Sequence, residues 1–248
     1  MNSKLLRWAA LIMMLVNILY NRIIAGGSIM SDITDKYDPV FVPANYAFMI
    51  WSVIYLFFII FLVYELLPKQ VDQRRYDQLA ITTIITSLLS ICWITAFVNE
   101  YITLSLVIII AMLITSLVLF YQAYSILPDE RHNWILLVPF SLYAAWLSVA
   151  TIANSAILLT ANNWYGEGPS QEMWSIVMVM AAGLFGIFIG LKFRNIVFPL
   201  VIAWAGVAIW SNRHFSYPEF ASVSMVCAII MITLIFYILV KNSTHMKI

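Results

Sequence analysis

Thr103–Ser125 reads TLSLVIIIAMLITSLVLFYQAYS, 23 residues without a charge, a proline or a glycine. As a helix it would extend about 34 Å, enough to cross a hydrocarbon core about 30 Å thick. Working outward, seven comparable stretches occupy Leu5–Ile24, Asn45–Leu67, Gln78–Phe97, Asn133–Leu159, Met173–Gly190, Ile196–Ser211 and Glu219–Val240. The seventh span in chain order, Ile196–Ser211, is the shortest and carries Pro199 near its start. A mean hydropathy of +0.93 fits this pattern, and 63% hydrophobic against 10% charged residues excludes an ordinary soluble domain. The expected fold class is therefore all-α, a polytopic transmembrane bundle of about eight spans.

The charges give an independent check. With eight crossings, one face carries Lys4, Arg7, Lys69, Arg74, Arg75, Arg131, Lys192, Arg194, Lys241 and Lys247. The opposite face keeps only Arg22, Lys36 and Arg213. Basic residues collect on the cytoplasmic side of membrane proteins, so with this ten-to-three sorting both termini are expected in the cytoplasm. The expected location is the plasma (inner) membrane. Lys4 and Arg7 before an apolar run, with Ala25-Gly26-Gly27-Ser28 after it, also resemble a signal peptide. The run is longer than the 7–15 residues usual there, and it is read as a span.

No Asp, Glu, Lys, Arg or His falls near the middle of a span; Glu65, three residues before Pro68, is expected at the cytoplasmic interface. This counts against a proton-coupled pump or a charge-selective channel. The interior polar groups are uncharged: Asn17, Ser87, Ser90, Thr95, Ser148, Thr151 and Asn154. Cys92 and Cys227 lie inside spans, and the three histidines are isolated, so no metal site is expected. Trp8, Tyr101, Trp134, Trp164, Tyr165, Trp174 and Trp210 lie near span ends, where interfacial anchoring suits them. Trp51, Trp93 and Trp146 lie deeper, where a ring needs close packing or a cavity.

Three faces stand out. Trp51 and Tyr55 are spaced i,i+4 in the second span; Ser90, Trp93 and Phe97 follow i, i+3, i+7 in the third. In the fifth, Tyr143, Trp146, Ala150 and Asn154 follow i, i+3, i+7, i+11. Such a stripe serves either tight helix packing or a ligand, with Ala150 allowing close approach and Asn154 needing a partner for its amide.

These residues carry a resemblance. Trp51-Ser52-Val53-Ile54-Tyr55 is similar to the W-x-x-L-Y pattern of the TspO/translocator-protein (tryptophan-rich sensory protein, TspO/MBR) family, with Ile for Leu. Leu89-Ser90-Ile91-Cys92-Trp93 with Phe97 resembles its L-N-x-x-W-x-x-x-F, Ser90 replacing the Asn. Tyr143, Trp146, Ala150 and Asn154 align without gaps on P-Y-L-x-W-x-x-F-A-x-x-L-N, with Leu142 for the Pro and Val149 for the Phe. The resemblance covers residues 1–163 and implies a five-helix ligand-binding core. Residues 164–248 would add three further helices, giving a divergent branch.

The family likeness implies a receptor or sensor that binds a hydrophobic aromatic ligand, a tetrapyrrole such as protoporphyrin or a sterol-like molecule. A carrier or exporter of such a ligand, or of a lipid, is the alternative. The implied ligand-binding residues are Trp51, Tyr55, Ser90, Trp93, Tyr143, Trp146, Ala150 and Asn154. The loop Gly26–Pro43 would close one side of the cavity, with Gly26-Gly27 as a hinge. No cofactor is required, although a porphyrin would be bound. No catalytic dyad or phosphate loop is present in the sequence, so an enzyme is not expected. Expected partners are the lipid bilayer, the small molecule and, if the added helices leave the surface open, a second copy in a homodimer; nucleic acid is not one. Ala182, Gly186 and Gly190, with Ala205-Gly206, form small-residue ridges suited to packing against a neighbour.

Overall fold

A computed structural model describes residues 3–24, 29–67, 73–126, 133–164 and 170–245. Among them the regular structure is helical: α1 Ser3–Ile24, α2 Ile29–Tyr37, a 3-10 turn Asn45–Met49, α3 Ile50–Glu65, α4 Gln73–Val98, α5 Ile102–Ile126, α6 Asn133–Ala161, α7 Gln171–Phe193, α8 Val197–Arg213 and α9 Pro218–His245. Seven helices are long and apolar enough to cross a membrane, counting the 3-10 turn with α3; α8, at 17 residues, is a shorter apolar helix. The expected polytopic bundle is present. The hinge residues Gly26-Gly27 lie outside the described residues.

The sequence pattern did not anticipate α2. It lies inside the Gly26–Pro43 connection and is only 9 residues long, with Asp32, Asp35 and Lys36 exposed. It is too short and too polar to register as a span.

The chain forms two compact units. The first holds residues 1–33 and 50–147, the second residues 34–49 and 148–248. Helix α6 is continuous through the boundary, so Tyr143 and Trp146 belong to the first unit and Ala150 and Asn154 to the second.

In the first unit α4 packs along both α1 and α5. Hydrogen bonds fasten both ends of α1. The Ser3 hydroxyl donates to Asp77 at 2.5 Å, and the Tyr20 and Thr95 hydroxyls lie 2.7 Å apart. Between α3 and α6 a run of rings fills the core, Phe61 meeting Phe140 at 4.8 Å and Phe58 meeting Phe140 at 5.4 Å.

In the second unit α8 lies along α9 and α7. Close approach needs small residues there. A Cβ on Gly206 would sit 2.7 Å from the Ser224 carbonyl oxygen, and one on Gly186 would sit 2.9 Å from Met231 Sδ. The Gly186 and Gly206 positions of the predicted ridges are thus filled within the chain. Glu172, in the first turn of α7, accepts a bond from the Phe220 backbone N–H at 3.3 Å and so caps the start of α9.

Candidate functional site

Six of the eight predicted residues lie in the first unit, and the structure gathers four of them around the ring of a fifth, Trp51. Trp51, one residue into α3, stacks on Tyr55 at 5.8 Å, as their i,i+4 spacing requires. From α4, Trp93 approaches it at 6.3 Å. From α6, Tyr143 and Trp146 meet it edge-on at 6.2 and 6.4 Å, with interplanar angles of 66° and 90°. The sixth residue, Ser90, makes a side-chain hydrogen-bond contact with the Tyr55 hydroxyl. Phe97 stacks beneath Trp93 at 5.5 Å, and Phe58 supports Tyr143 at 5.3 Å.

Exposure differs across the cluster. Trp93, Tyr143 and Trp146 are buried, whereas Trp51 and Tyr55 are half-buried. Rings meeting edge-on present one face and one edge to each other, which fixes orientation better than a parallel stack of mobile rings. The Trp93 indole N–H is buried and has no acceptor among the described residues. The assembly thus offers apolar ring surface, one buried donor and the Tyr55–Ser90 hydroxyl pair. Among the described residues no three His, Cys, Asp or Glu side chains gather as a metal-binding group.

Ala150 and Asn154 continue along α6 in the second unit, about one and two turns beyond Trp146. Asn154 is buried.

A family model described as TSPO-like protein matches residues 4–240. The chain belongs to the TSPO-like family. The match runs past residue 163, where the motif resemblance stops, through α7, α8 and most of α9. No curated protein and no solved structure matches the chain. With helices of membrane-spanning length, this TSPO-like protein is an integral membrane protein of a sensor and binding type.

Sequence reasoning placed Glu65 of this TSPO-like chain near the cytoplasmic end of its span, and the structure adds how it is packed at the end of α3. Glu65 is fully buried. Its backbone carbonyl accepts a bond from Arg7 Nη1 at 3.1 Å, and the Arg7 guanidinium also reaches Asp77 at 3.3 Å and lies 5.5 Å from the Tyr76 ring centre. Arg7 is itself only 6% exposed. The Glu65 carboxylate oxygens have no hydrogen-bond partner among the described residues, and the residues joined through Arg7 are 58 to 70 positions apart, beyond any local pattern.

Sequence reasoning also missed a clasp in the second unit. The segment between α2 and the 3-10 turn is held along α8. Arg213 bonds the Asp38 carboxylate and the Pro39 carbonyl, the latter at 2.8 Å. Asn212 Nδ2 donates to the Val42 carbonyl at 3.2 Å, and the Ala44 backbone N–H donates to the Ala208 carbonyl at 3.0 Å. Trp204 donates its indole N–H to the Ala47 carbonyl at 3.3 Å while Tyr46 packs edge-on against its ring at 5.3 Å. Its being one of only three basic residues on the sparsely charged face was the one available signal for Arg213.

Proposed function

We propose that this protein is a membrane receptor or sensor that reversibly binds a flat hydrophobic aromatic ligand, a tetrapyrrole such as protoporphyrin, against the ring cluster of the first unit. The observation that carries this reading is the convergence of Tyr55, Trp93, Tyr143 and Trp146 on Trp51. A greasy planar molecule gains most from aromatic walls, with a few polar groups to orient it. Trp51 and Tyr55, the half-buried members, present the surface a ligand meets first. The buried rings behind them hold that surface in place. Tyr55, Ser90 and the Trp93 indole N–H supply the orienting groups.

In this reading the ligand leaves chemically unchanged, and the protein sits in the plasma (inner) membrane with both termini in the cytoplasm. The test is a titration of purified protein with protoporphyrin IX, followed by tryptophan quenching. Saturable quenching, weakened in a folded Trp146→Phe variant, supports the reading. Quenching that rises linearly, or that ignores Trp146, counts against it. Proteoliposomes loaded with the same porphyrin separate binding from carriage. A sensor gives equilibrium occupancy without vectorial flux, and a carrier gives flux.

A further inference from the structure

Within the second unit, contacts between α7 and α9 join residues 44 to 48 positions apart, from Glu172 with Phe220 at one end to Gly190 with Leu234 near the other. The two helices therefore run parallel and end together, and Arg194, the C-cap of α7, stands level with Lys241 near the end of α9. On the surface between them lies an apolar groove of about 350 Å³. Gly183 and Cys227 form its floor, where a Cβ on the glycine would sit 2.9 Å from the Cys227 sulfur. Met180 and Leu184 make one rim and Val226 and Ile230 the other, all four 46–68% exposed. Exposed apolar side chains are ordinary on a membrane helix, but a concave strip with a charged end is not.

That end is basic. Lys241 follows Ile230 by eleven residues and Cys227 by fourteen, which puts it on the groove-bearing face of α9. Tyr237 shares that face, and the Lys241 ammonium lies 3.4 Å from its hydroxyl and 5.6 Å from its ring centre. Lys241 and Arg194 are both exposed. Lys192 differs, since it follows Gly183 by nine residues and so lies on the opposite face of α7, over the Phe188 and Phe193 rings. From Met173 to Ile248 the sole acid is Glu219, at the other end of α9. Depth fits as well. Gly183 lies eleven residues before Arg194, about 16 Å along the helix, or about half of a 30 Å hydrocarbon core.

We propose that the α7–α9 groove binds one anionic phospholipid, its acyl chain lying over Gly183 and its phosphate held by Lys241, with Tyr237 and Arg194 beside it. A hydrocarbon chain one leaflet long spans the distance from the basic end to the groove floor. The ammonium supplies a point charge for the headgroup, and the Tyr237 hydroxyl can donate to a phosphate oxygen. A zwitterionic lipid would fill the same groove but bring its own cation toward Lys241. A second copy of this chain would fill the groove with side chains and bring the same positive charges to the basic end. The site lies wholly in the second unit and does not depend on the ring-cluster reading.

The test titrates the full-length protein in detergent with dioleoylphosphatidylglycerol or dioleoylphosphatidylcholine and reads bound lipid by native mass spectrometry. One phosphatidylglycerol per chain is expected, bound about twentyfold more tightly than phosphatidylcholine, from two basic residues at about fivefold each. Lys241→Gln lowers phosphatidylglycerol affinity about fivefold and leaves phosphatidylcholine unchanged. Ile230→Trp, a rim substitution that fills the groove without touching its floor, weakens both lipids about tenfold. Lys192→Gln and Phe236→Trp, on opposite faces of the same helices, leave both affinities as they are.

Equal affinity for the two lipids overturns the site, as does phosphatidylglycerol binding that ignores Lys241 or Ile230. A dimer that Ile230→Trp converts to monomer also overturns it, because the groove would then seat a second copy of the chain.

Discussion

The two units bury their helices in opposite ways. In the second, helices close on glycine: Gly183, Gly186, Gly190 and Gly206 each face a neighbouring residue at a distance that leaves no room for a Cβ. Its buried hydroxyls are satisfied locally, as Ser224 and Ser175 show with bonds to Phe220 and Gln171. The helices of the first unit contain no glycine. They are held apart by rings, and the inner face of α4 keeps three hydroxyls, those of Thr83, Thr86 and Ser87, without a partner among the described residues. Close backbone packing with satisfied polar groups fixes a structure. Aromatic packing with unsatisfied polar groups leaves free energy to be gained from a guest.

The contrast breaks most visibly at Gly206. Gly206→Leu drives a side chain into the Ser224 carbonyl and is expected to cost about 3 kcal/mol, read as a lower unfolding midpoint in detergent. If the midpoint holds, the α8–α9 contact is looser than the structure gives. Next comes the clasp. Arg213→Met removes the bonds to Asp38 and Pro39 and is expected to cost about 1–2 kcal/mol, with faster proteolysis of the segment from Asp38 to Ala44. Unchanged cleavage would show that the backbone bond at Ala44 and the Trp204 contact hold the segment alone.

Smaller effects sharpen the comparison inside the first unit. Trp51→Phe keeps an aromatic ring at the centre but loses indole surface, and porphyrin affinity is expected to fall about fivefold to tenfold. Removing a hydroxyl should have opposite signs at Thr83 in the first unit and Ser224 in the second. Ligand-free Thr83→Val is expected to gain up to about 1 kcal/mol, because its hydroxyl has no partner to lose. Ser224→Ala is expected to lose a few tenths of a kcal/mol, because its hydroxyl does. Thermal unfolding of both variants reads the two signs, and loss of stability in Thr83→Val would mean that hydroxyl is already satisfied.

Much of this was legible in residue spacing. Apolar length set out the spans, and i,i+3 and i,i+4 offsets put Trp51 with Tyr55, Trp93 with Phe97, and Tyr143 with Trp146 on shared faces. Periodicity places residues on a helix but does not say which faces meet, so the convergence on Trp51 needed the structure. The packing of Glu65 could not be read from its place near a span end, because the residue that reaches its backbone, Arg7, comes across from α1. The clasp was invisible for a similar reason, since its members lie more than 150 positions apart. Helix α2 is too short and too evenly mixed in polarity to have been seen. Thr83 and Thr86 passed unnoticed because a threonine in a span normally satisfies itself, and nothing in sequence reveals a side chain that does not.

The most direct test of the central claim uses 5-fluorotryptophan and fluorine NMR on the full-length protein, with assignments from single Trp→Phe variants. Protoporphyrin IX carries a strong ring current, so a fluorine beside it shifts. The account predicts saturable shifts of the Trp51, Trp93 and Trp146 signals, with Trp174 and Trp210 unmoved. Shifts confined to the peripheral tryptophans, with the three clustered ones silent, would contradict it.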